Sequence, residues 1–167
     1  MQRMLVFFVA LVSTLAFAAT ASAQKPGAHI VGDLTISKEV SGLTVSGRGA
    51  GFGNFVTSAF LTAQRVEAVF QCRNHGDNIA PGQGVEQVAV VGEPQIIEPQ
   101  GGHIDFSPSL PAPPAPDPAD VCPNPNWTVD AEPLSLTFIG VELVFEQEIE
   151  PGVFVEVLRV PLGDIDP

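Results

Sequence analysis

The sequence predicts an all-β fold, an antiparallel β-sandwich of immunoglobulin-like type with about 7–9 strands. Short stretches in which apolar and polar residues alternate recur along the chain after residue 33. Turn-forming residues separate these stretches at intervals of about 8–12 residues, a spacing typical of sandwiches and barrels. The 16 glycines and 16 prolines among 167 residues disfavour long helices. The chain is also too short for a β/α-barrel enzyme, which needs about 250 residues.

The individual strands are predicted from this alternation, because successive side chains of a strand point to its opposite faces. They are expected at 34–40, 43–46, 66–72, 85–91, 95–97, 103–107, 127–130, 134–139, 141–149 and 153–160. Residues 55–70 fit both a strand and a helix, because their apolar residues also recur at i, i+4, i+8, i+11 and i+15. Those residues are Phe55, Ala59, Ala63, Val66 and Phe70. The strand is favoured because the neighbouring segments are strands, and the helix stays open as the alternative.

Residues 1–23 have the features of a secretory signal peptide. Arg3 gives a positively charged start, an almost unbroken apolar run extends from Leu5 to Ala19, and Ala21-Ser22-Ala23 forms a small-x-small cleavage site. A transmembrane anchor is the disfavoured alternative, because the run has about 15 residues and a spanning helix needs about 20. We therefore expect a secreted, extracellular protein, or a periplasmic one in a bacterium with an outer membrane. Residues 24–167 are predicted to form a single β-sandwich domain without a membrane span.

The two cysteines and a proline-rich segment constrain the middle of the chain. Cys72 and Cys122 both lie in the predicted exported part. An even cysteine count in an oxidising compartment favours one disulfide bond, with two free thiols as the alternative. Residues 107–125 are rich in proline, which excludes helices and central strands, so we expect a stiff, extended crossover loop between the sheets. The alternative function for this loop is a ligand for a proline-recognising domain.

Each cysteine begins a motif. The first is Cys72-Arg-Asn-His-Gly-Asp-Asn-Ile-Ala-Pro-Gly-Gln83, and the second is Cys122-Pro-Asn-Pro-Asn-Trp-Thr128. Both motifs resemble those of a group of uncharacterised secreted bacterial proteins of actinobacterial type, and Gly51-Phe-Gly-Asn54 is similar to a Gly-Leu-Gly-Asn of that group. The resemblance covers residues 42–145. It implies a β-sandwich with a Cys72–Cys122 bridge, and it implies no activity.

Composition and motifs give little sign of catalysis. The sequence has no nucleophile elbow, zinc-protease motif, phosphate-binding loop or Cys-x-x-Cys pair. Gly47–Gly53 is rich in glycine without dinucleotide-binding spacing, so a flexible turn or bulge is expected there. The formal net charge of −12 argues against nucleic acid, whose binding depends on clustered Lys and Arg. No catalytic, cofactor-binding or metal-binding residue is assigned, and no cofactor is expected.

Three histidines suggest an alternative hypothesis, in which the protein binds a metal ion. His75-Gly-Asp77 and His103-Ile-Asp105 are two His-x-Asp pairs, and His29 is a third imidazole. On a strand, His103 and Asp105 would share one face, opposite Ile104 and Phe106. If the pairs met in the fold they would suit zinc or copper. Otherwise these groups are polar residues of a turn and of a solvent-facing strand.

The acidic C-terminal region suggests a second metal-binding hypothesis, for calcium. Calcium needs six to eight converging oxygens, whereas acids that alternate along a strand point in parallel, so a solvated sheet face is favoured. The acids concerned are Glu142, Glu146, Glu148, Glu150, Glu156, Asp164 and Asp166.

Asn126-Trp127-Thr128 has the form of an N-glycosylation sequon, which matters only in a eukaryotic secretory pathway.

A C-terminal hairpin is predicted around Pro151-Gly152, which suits the centre of a β-turn. The expected pairs are Glu150–Val153, Ile149–Phe154, Phe145–Leu158 and Leu143–Val160. This register gives one continuous apolar face and a mixed outer face rich in glutamate. A one-residue bulge is the alternative, and it would reverse the parity of one strand.

These observations lead to two functional hypotheses. The first is a secreted, non-catalytic binding or structural module, with another protein or a component of the cell envelope as its partner. The second is a small extracellular metal-dependent protein or enzyme that uses His29, His75, His103 and nearby acids. Convergence of the three imidazoles would favour the second hypothesis, and their dispersal would favour the first.

Overall fold

The computed structural model describes residues 27–166, which form nine strands and one short helix. The signal peptide predicted over 1–23 lies outside the described residues. The elements are β1 (His29–Glu39), β2 (Gly42–Ala50), β3 (Thr57–Arg73), β4 (Ile79–Val91), β5 (Gln95–Ile97), β6 (His103–Phe106), β7 (Ser109–Pro111), α1 (Pro118–Val121), β8 (Thr128–Glu150) and β9 (Val153–Ile165). Across 27–166, no helix has the length and apolar character needed to cross a membrane.

The strands form two antiparallel sheets, which confirms the predicted all-β sandwich. Sheet A has four strands in the order β1-β2-β6, with β7 also paired to β2. Sheet B has five strands in the order β4-β3-β8-β9, with β5 also paired to β3. Buried residues from both sheets form one core, for example Leu43 and Val45 from sheet A and Leu61 and Leu143 from sheet B. The segments expected at 127–130, 134–139 and 141–149 are parts of the single long strand β8.

Three phenylalanines fill one part of this core. The ring centroid of Phe145 lies 5.3 Å from that of Phe52 and 5.0 Å from that of Phe106. Gly49 leaves room for the ring of Phe52, because a Cβ atom there would lie 2.6 Å from it. Of the flexible turn or bulge expected over residues 47–53, the turn is wrong for 47–50, which belong to strand β2. The pairing of β1 with β2 is irregular between Val31 and Thr35, opposite Gly47, as a bulge would require. The turn begins at Gly51, whose φ of 82° favours glycine.

Residues 57–73 form strand β3, which confirms the strand interpretation of 55–70 over the helix. The core-facing parity changes at Gln64: Leu61 and Ala63 are buried before it, and Val66 and Ala68 are buried after it. The two strands that flank β3 are also irregular, at the positions directly opposite Gln64. Ala89 of β4 has a φ of 52° and Gly140 of β8 has a φ of 61°. This shift of parity places apolar residues at spacings that imitate a helical stripe.

The proline-rich segment connects the sheets as expected, but it is more structured than the sequence predicts. Leu110 is fully buried in the short strand β7, which pairs with the start of β2. The prediction that 107–125 excludes a helix is wrong for α1, a single turn. Pro118 begins this turn, where a missing N–H costs no hydrogen bond, and Asp117 caps it by accepting a hydrogen bond from the N–H of Ala119 at 2.8 Å.

The disulfide between Cys72 and Cys122 is confirmed, and the alternative of two free thiols is wrong. The Cα atoms lie 5.8 Å apart, within the range of ordinary disulfide geometry. Cys72 is fully buried near the end of β3, and Cys122 directly follows α1. The bond therefore fastens the crossover segment to the end of sheet B.

The C-terminal hairpin is present, with a corrected register. The predicted pairs that occur are Glu150–Val153, Phe145–Leu158 and Leu143–Val160. Between them, Phe154 lies opposite Glu148 instead of Ile149, so that predicted pair is wrong. The reason is a bulge on β8 next to the turn, which a second irregularity on β9 compensates before Phe145. Ile149 consequently does not pack on the core and remains 39% exposed.

Candidate functional site

Two of the three histidines lie on one face of sheet A. His29 of β1 pairs with Ala50 of β2, and Ala50 pairs on its other side with His103 of β6. Paired residues of neighbouring strands point to the same face. The next residues, Ile30 and Ile104, contribute to the core, so the two imidazoles point outward. Two strand spacings place their Cα atoms about 10 Å apart, with one methyl group between them.

An ion pair occupies the next row of this face. Arg48 is the cross-strand partner of Asp105, and its Nε lies 2.9 Å from Oδ1 of the carboxylate. Both side chains are largely exposed, so the pair contributes less than about 1 kcal/mol to stability. Its main effect is positional, because it orients a guanidinium and a carboxylate beside His103. The predicted common face of His103 and Asp105, opposite Ile104 and Phe106, is confirmed. We call these outward residues, His29, Arg48, Ala50, His103 and Asp105, the two-histidine face.

A cleft of about 490 Å³ adjoins this face, and we call it the His103 cleft. Its lining residues are Arg48, Ile97, Glu98, Gln100, His103, Ile104 and Asp105. A tight turn shapes its rim: Gln100 and His103 exchange backbone hydrogen bonds of 2.9 and 3.1 Å across Gly101 and Gly102. A guanidinium, two carboxylates, an amide and an imidazole thus surround one opening. These groups can donate and accept hydrogen bonds toward a polar ligand.

A second cleft, of about 320 Å³, also has His103 in its lining. Glycines dominate its lining, which consists of Gly27, Gly51, Gly53, Asn54, Gly101, Gly102 and His103. The loop after β2, which contributes Gly51, Gly53 and Asn54 to this lining, is fastened to the core. Phe52 donates its backbone N–H to the carbonyl of Gly102 at 3.1 Å, and the amide Nε2 of the buried Gln147 donates to the carbonyl of Phe52 at 2.6 Å. The surroundings of His103 are therefore held by the core.

His75 lies far from the other two histidines. It occupies the turn between β3 and β4, where the side chain of Asn74 accepts hydrogen bonds from the N–H groups of Gly76 and Asn78 at 2.9 Å. The opposite end of β3 pairs with β5, whose residue Ile97 lines the His103 cleft. The 17 residues of β3 separate these two ends by about 50 Å of extended chain. The structure thus brings His29 and His103 together and leaves His75 apart.

The C-terminal acids take part in separate local interactions. Arg159 contacts the carboxylates of both Glu142 and Glu156. Its hydrogen bond holds the pKa of Glu156 below the usual value, and the same contacts raise the pKa of Arg159. Glu148 and Asp164 instead accept hydrogen bonds from backbone N–H groups. Within residues 27–166, no group of three or more His, Cys, Asp or Glu side chains is placed to hold a metal ion.

Several residues of this region carry no recognisable signal in the sequence. Glu98 and Gln100 follow a short strand without any motif, and Arg48 stands within a glycine-rich segment. The pairing of β2 with β6 brings Arg48 beside His103, whereas the turn through Gly101 and Gly102 holds Gln100 there. Only the alternation over His103–Phe106 indicated which side chains would face solvent.

A scan against protein-family models, a search of curated proteins and a search of solved structures each found no match to this chain.

Proposed function

We propose that the protein is a secreted, non-catalytic module that binds a polar ligand through the His103 cleft. The ligand would belong to the cell envelope or to another extracellular protein. The signal-peptide features of residues 1–23 support export. The Cys72–Cys122 bond also supports it, because disulfides persist in oxidising compartments outside the cytosol.

The observation that carries the proposal is the His103 cleft itself. Its volume of about 490 Å³ lies within the range of ligand-binding pockets. Its lining is mainly charged and amide side chains, which favour a ligand rich in hydroxyl, amide or charged groups over an apolar one. Strands and a hydrogen-bonded turn hold these side chains, so ligand binding would require little ordering of the protein.

The state of the two cysteines and the positions of the three histidines agree better with a binding role than with catalysis. Both thiols of the chain are consumed by the disulfide, so neither can act as a nucleophile. The Nδ1 atom of His29 is hydrogen-bonded to the backbone carbonyl of Gly27, so this nitrogen is not placed to take a proton from a hydroxyl nucleophile. The separation of His75 from His103 also leaves the three imidazoles without a common centre.

A sedimentation assay with envelope material tests the proposal. The wild-type protein is titrated against isolated cell envelopes, and against the proteins of the culture medium in a parallel cross-linking assay. We expect saturable binding that Arg48→Ala weakens by about tenfold or more, because a charge-assisted hydrogen bond contributes about 1.5–3 kcal/mol. Arg65→Ala is the control, because Arg65 forms a half-exposed ion pair of nearly the same length, 2.8 Å, with Glu67 on sheet B.

Two results would contradict the proposal. One is binding by Arg48→Ala that equals that of the wild type, which would exclude the His103 cleft. The other is release of soluble products from the envelopes by the wild type but not by His103→Ala, which would establish catalysis.

A further inference from the structure

We infer that His29 and His103 bind one divalent transition-metal ion on the outer face of sheet A, above Ala50. This inference goes beyond the proposed function and does not depend on it. It involves two of the three histidines considered in the sequence analysis, and their proximity follows from the order of strands β1, β2 and β6 in sheet A. The two imidazoles are the protein ligands, and water completes the coordination.

The register of sheet A places the two imidazoles at a suitable separation. They stand on strands β1 and β6, on either side of the same β2 residue, with Cα atoms about 10 Å apart. Two imidazoles that lean toward each other, with a metal–nitrogen bond of about 2.0–2.1 Å at each end, close a gap of this size. Ala50 carries only a methyl group, so no long side chain of β2 stands between the two histidines. A larger side chain there would stand between them.

The hydrogen bond of His29 prepares its ring for a metal. Its Nδ1 lies within hydrogen-bonding distance of the carbonyl oxygen of Gly27. Because a carbonyl only accepts, Nδ1 must carry the proton, and the lone pair of the neutral ring is then on Nε2. Metal-binding histidines usually donate their second ring N–H in this way, which fixes the tautomer and the orientation of the ring.

The charges beside the pair favour a cation. The guanidinium of Arg48 is paired with Asp105, so its positive charge is offset. Glu98 contributes a further carboxylate at the rim of the cleft that contains His103. Imidazole nitrogens select zinc, copper and nickel over calcium and magnesium, and Cu²⁺ binds most tightly among the first-row divalent ions. The expected ligand is therefore a transition metal, with Cu²⁺ and Zn²⁺ as the practical probes.

The first test uses the three histidines as internal reporters. The full chain is expressed without a histidine tag, and the imidazole signals of the purified protein are followed by NMR as Cu²⁺ is added below one equivalent. We expect the ring signals of His29 and His103 to broaden together, while those of His75 stay sharp. Equal broadening of all three, or no broadening up to one equivalent, would overturn the inference.

The second test measures Zn²⁺ affinity by calorimetry. His29→Gln and His103→Gln should each weaken binding by at least about tenfold, since even the loss of a supporting contact typically costs 10–100-fold. Ala50→Leu should weaken binding similarly with both imidazoles still present, because leucine occupies the space between them. His75→Gln is the matched control and should bind as the wild type does. Wild-type affinity in both His29→Gln and His103→Gln would overturn the inference.

Discussion

Truncation of Phe145 to alanine tests how the two sheets are held together. Phe145 comes from the central strand β8 and is fully buried. Its ring contacts Phe52 in the loop after β2 and Phe106 in β6, so it joins sheet B to β6 of sheet A and to the loop that lines the second, glycine-rich cleft. The variant should therefore be among the most destabilising single substitutions in the chain.

The expected loss follows from burial and ring contacts. Phenylalanine-to-alanine substitutions in cores cost about 3–5 kcal/mol, which includes the cavity left behind. Each tilted or edge-to-face aromatic pair contributes about 0.5–1.5 kcal/mol beyond buried area, and Phe145 makes two such pairs. We expect a loss in the upper half of this range, about 4–5 kcal/mol. For a domain of this size the Tm should fall by about 10–20 °C.

Urea unfolding monitored by circular dichroism, with the disulfide intact, measures this loss. Glu146→Ala is the matched control on the opposite face of the same strand. Glu146 pairs directly with Glu156, so removing one of two like charges should be near neutral or slightly stabilising. Phe145→Leu keeps most of the volume and should lose less than half as much as Phe145→Ala. Equal losses for Phe145→Ala and Glu146→Ala would refute the assignment of the two faces.

Three further predictions concern other parts of the fold. Replacement of Cys72 and Cys122 by serine should lower the free energy of unfolding by about 4 kcal/mol, because the bond closes a loop of 50 residues; a change under about 1 kcal/mol in urea unfolding would contradict this. Ala89→Gly should raise stability by about 0.5–1 kcal/mol, because φ of 52° is strained for alanine; a loss in the same assay would count against it. Glu156→Gln should cost less than about 1 kcal/mol at neutral pH, because the pair with Arg159 is exposed. Because the folded pKa of Glu156 is lowered from 4.5, its contribution is present above pH 4.5 and disappears as the pH falls through the folded pKa. A loss well above about 1 kcal/mol at pH 7, or a loss that persists below the folded pKa, would contradict this.

The sequence predicted the class of fold well, because alternation of apolar and polar residues depends on local chain geometry. It could not locate the irregularities. The apparent helical stripe through Ala59, Ala63, Val66 and Phe70 is produced by a shift of parity at Gln64 that two neighbouring strands share. The error at Ile149 has a similar origin, because two compensating bulges conserve the register at both ends of the hairpin. Such features depend on partner strands, which a single segment does not reveal.

The candidate site was accessible to sequence reasoning only in part. Histidines were noticed as possible ligands, and the outward direction of His103 followed from alternation. The association of His29 with His103, and the separation of His75, depend on β2 lying between β1 and β6. That arrangement pairs residues more than fifty positions apart in the chain, such as Ala50 and His103. No local pattern specifies it.

Intact-mass measurement of the protein recovered from the culture medium tests the central claim, that this is an exported, disulfide-bonded module. The account predicts a chain that begins at Gln24, after the Ala21-Ser22-Ala23 site, and that gains about 2 Da on reduction as Cys72 and Cys122 each take up a hydrogen. A full-length species that begins at Met1 and stays in the membrane fraction would contradict the claim. A mass that does not change on reduction, with both thiols open to alkylation in the native protein, would contradict it equally.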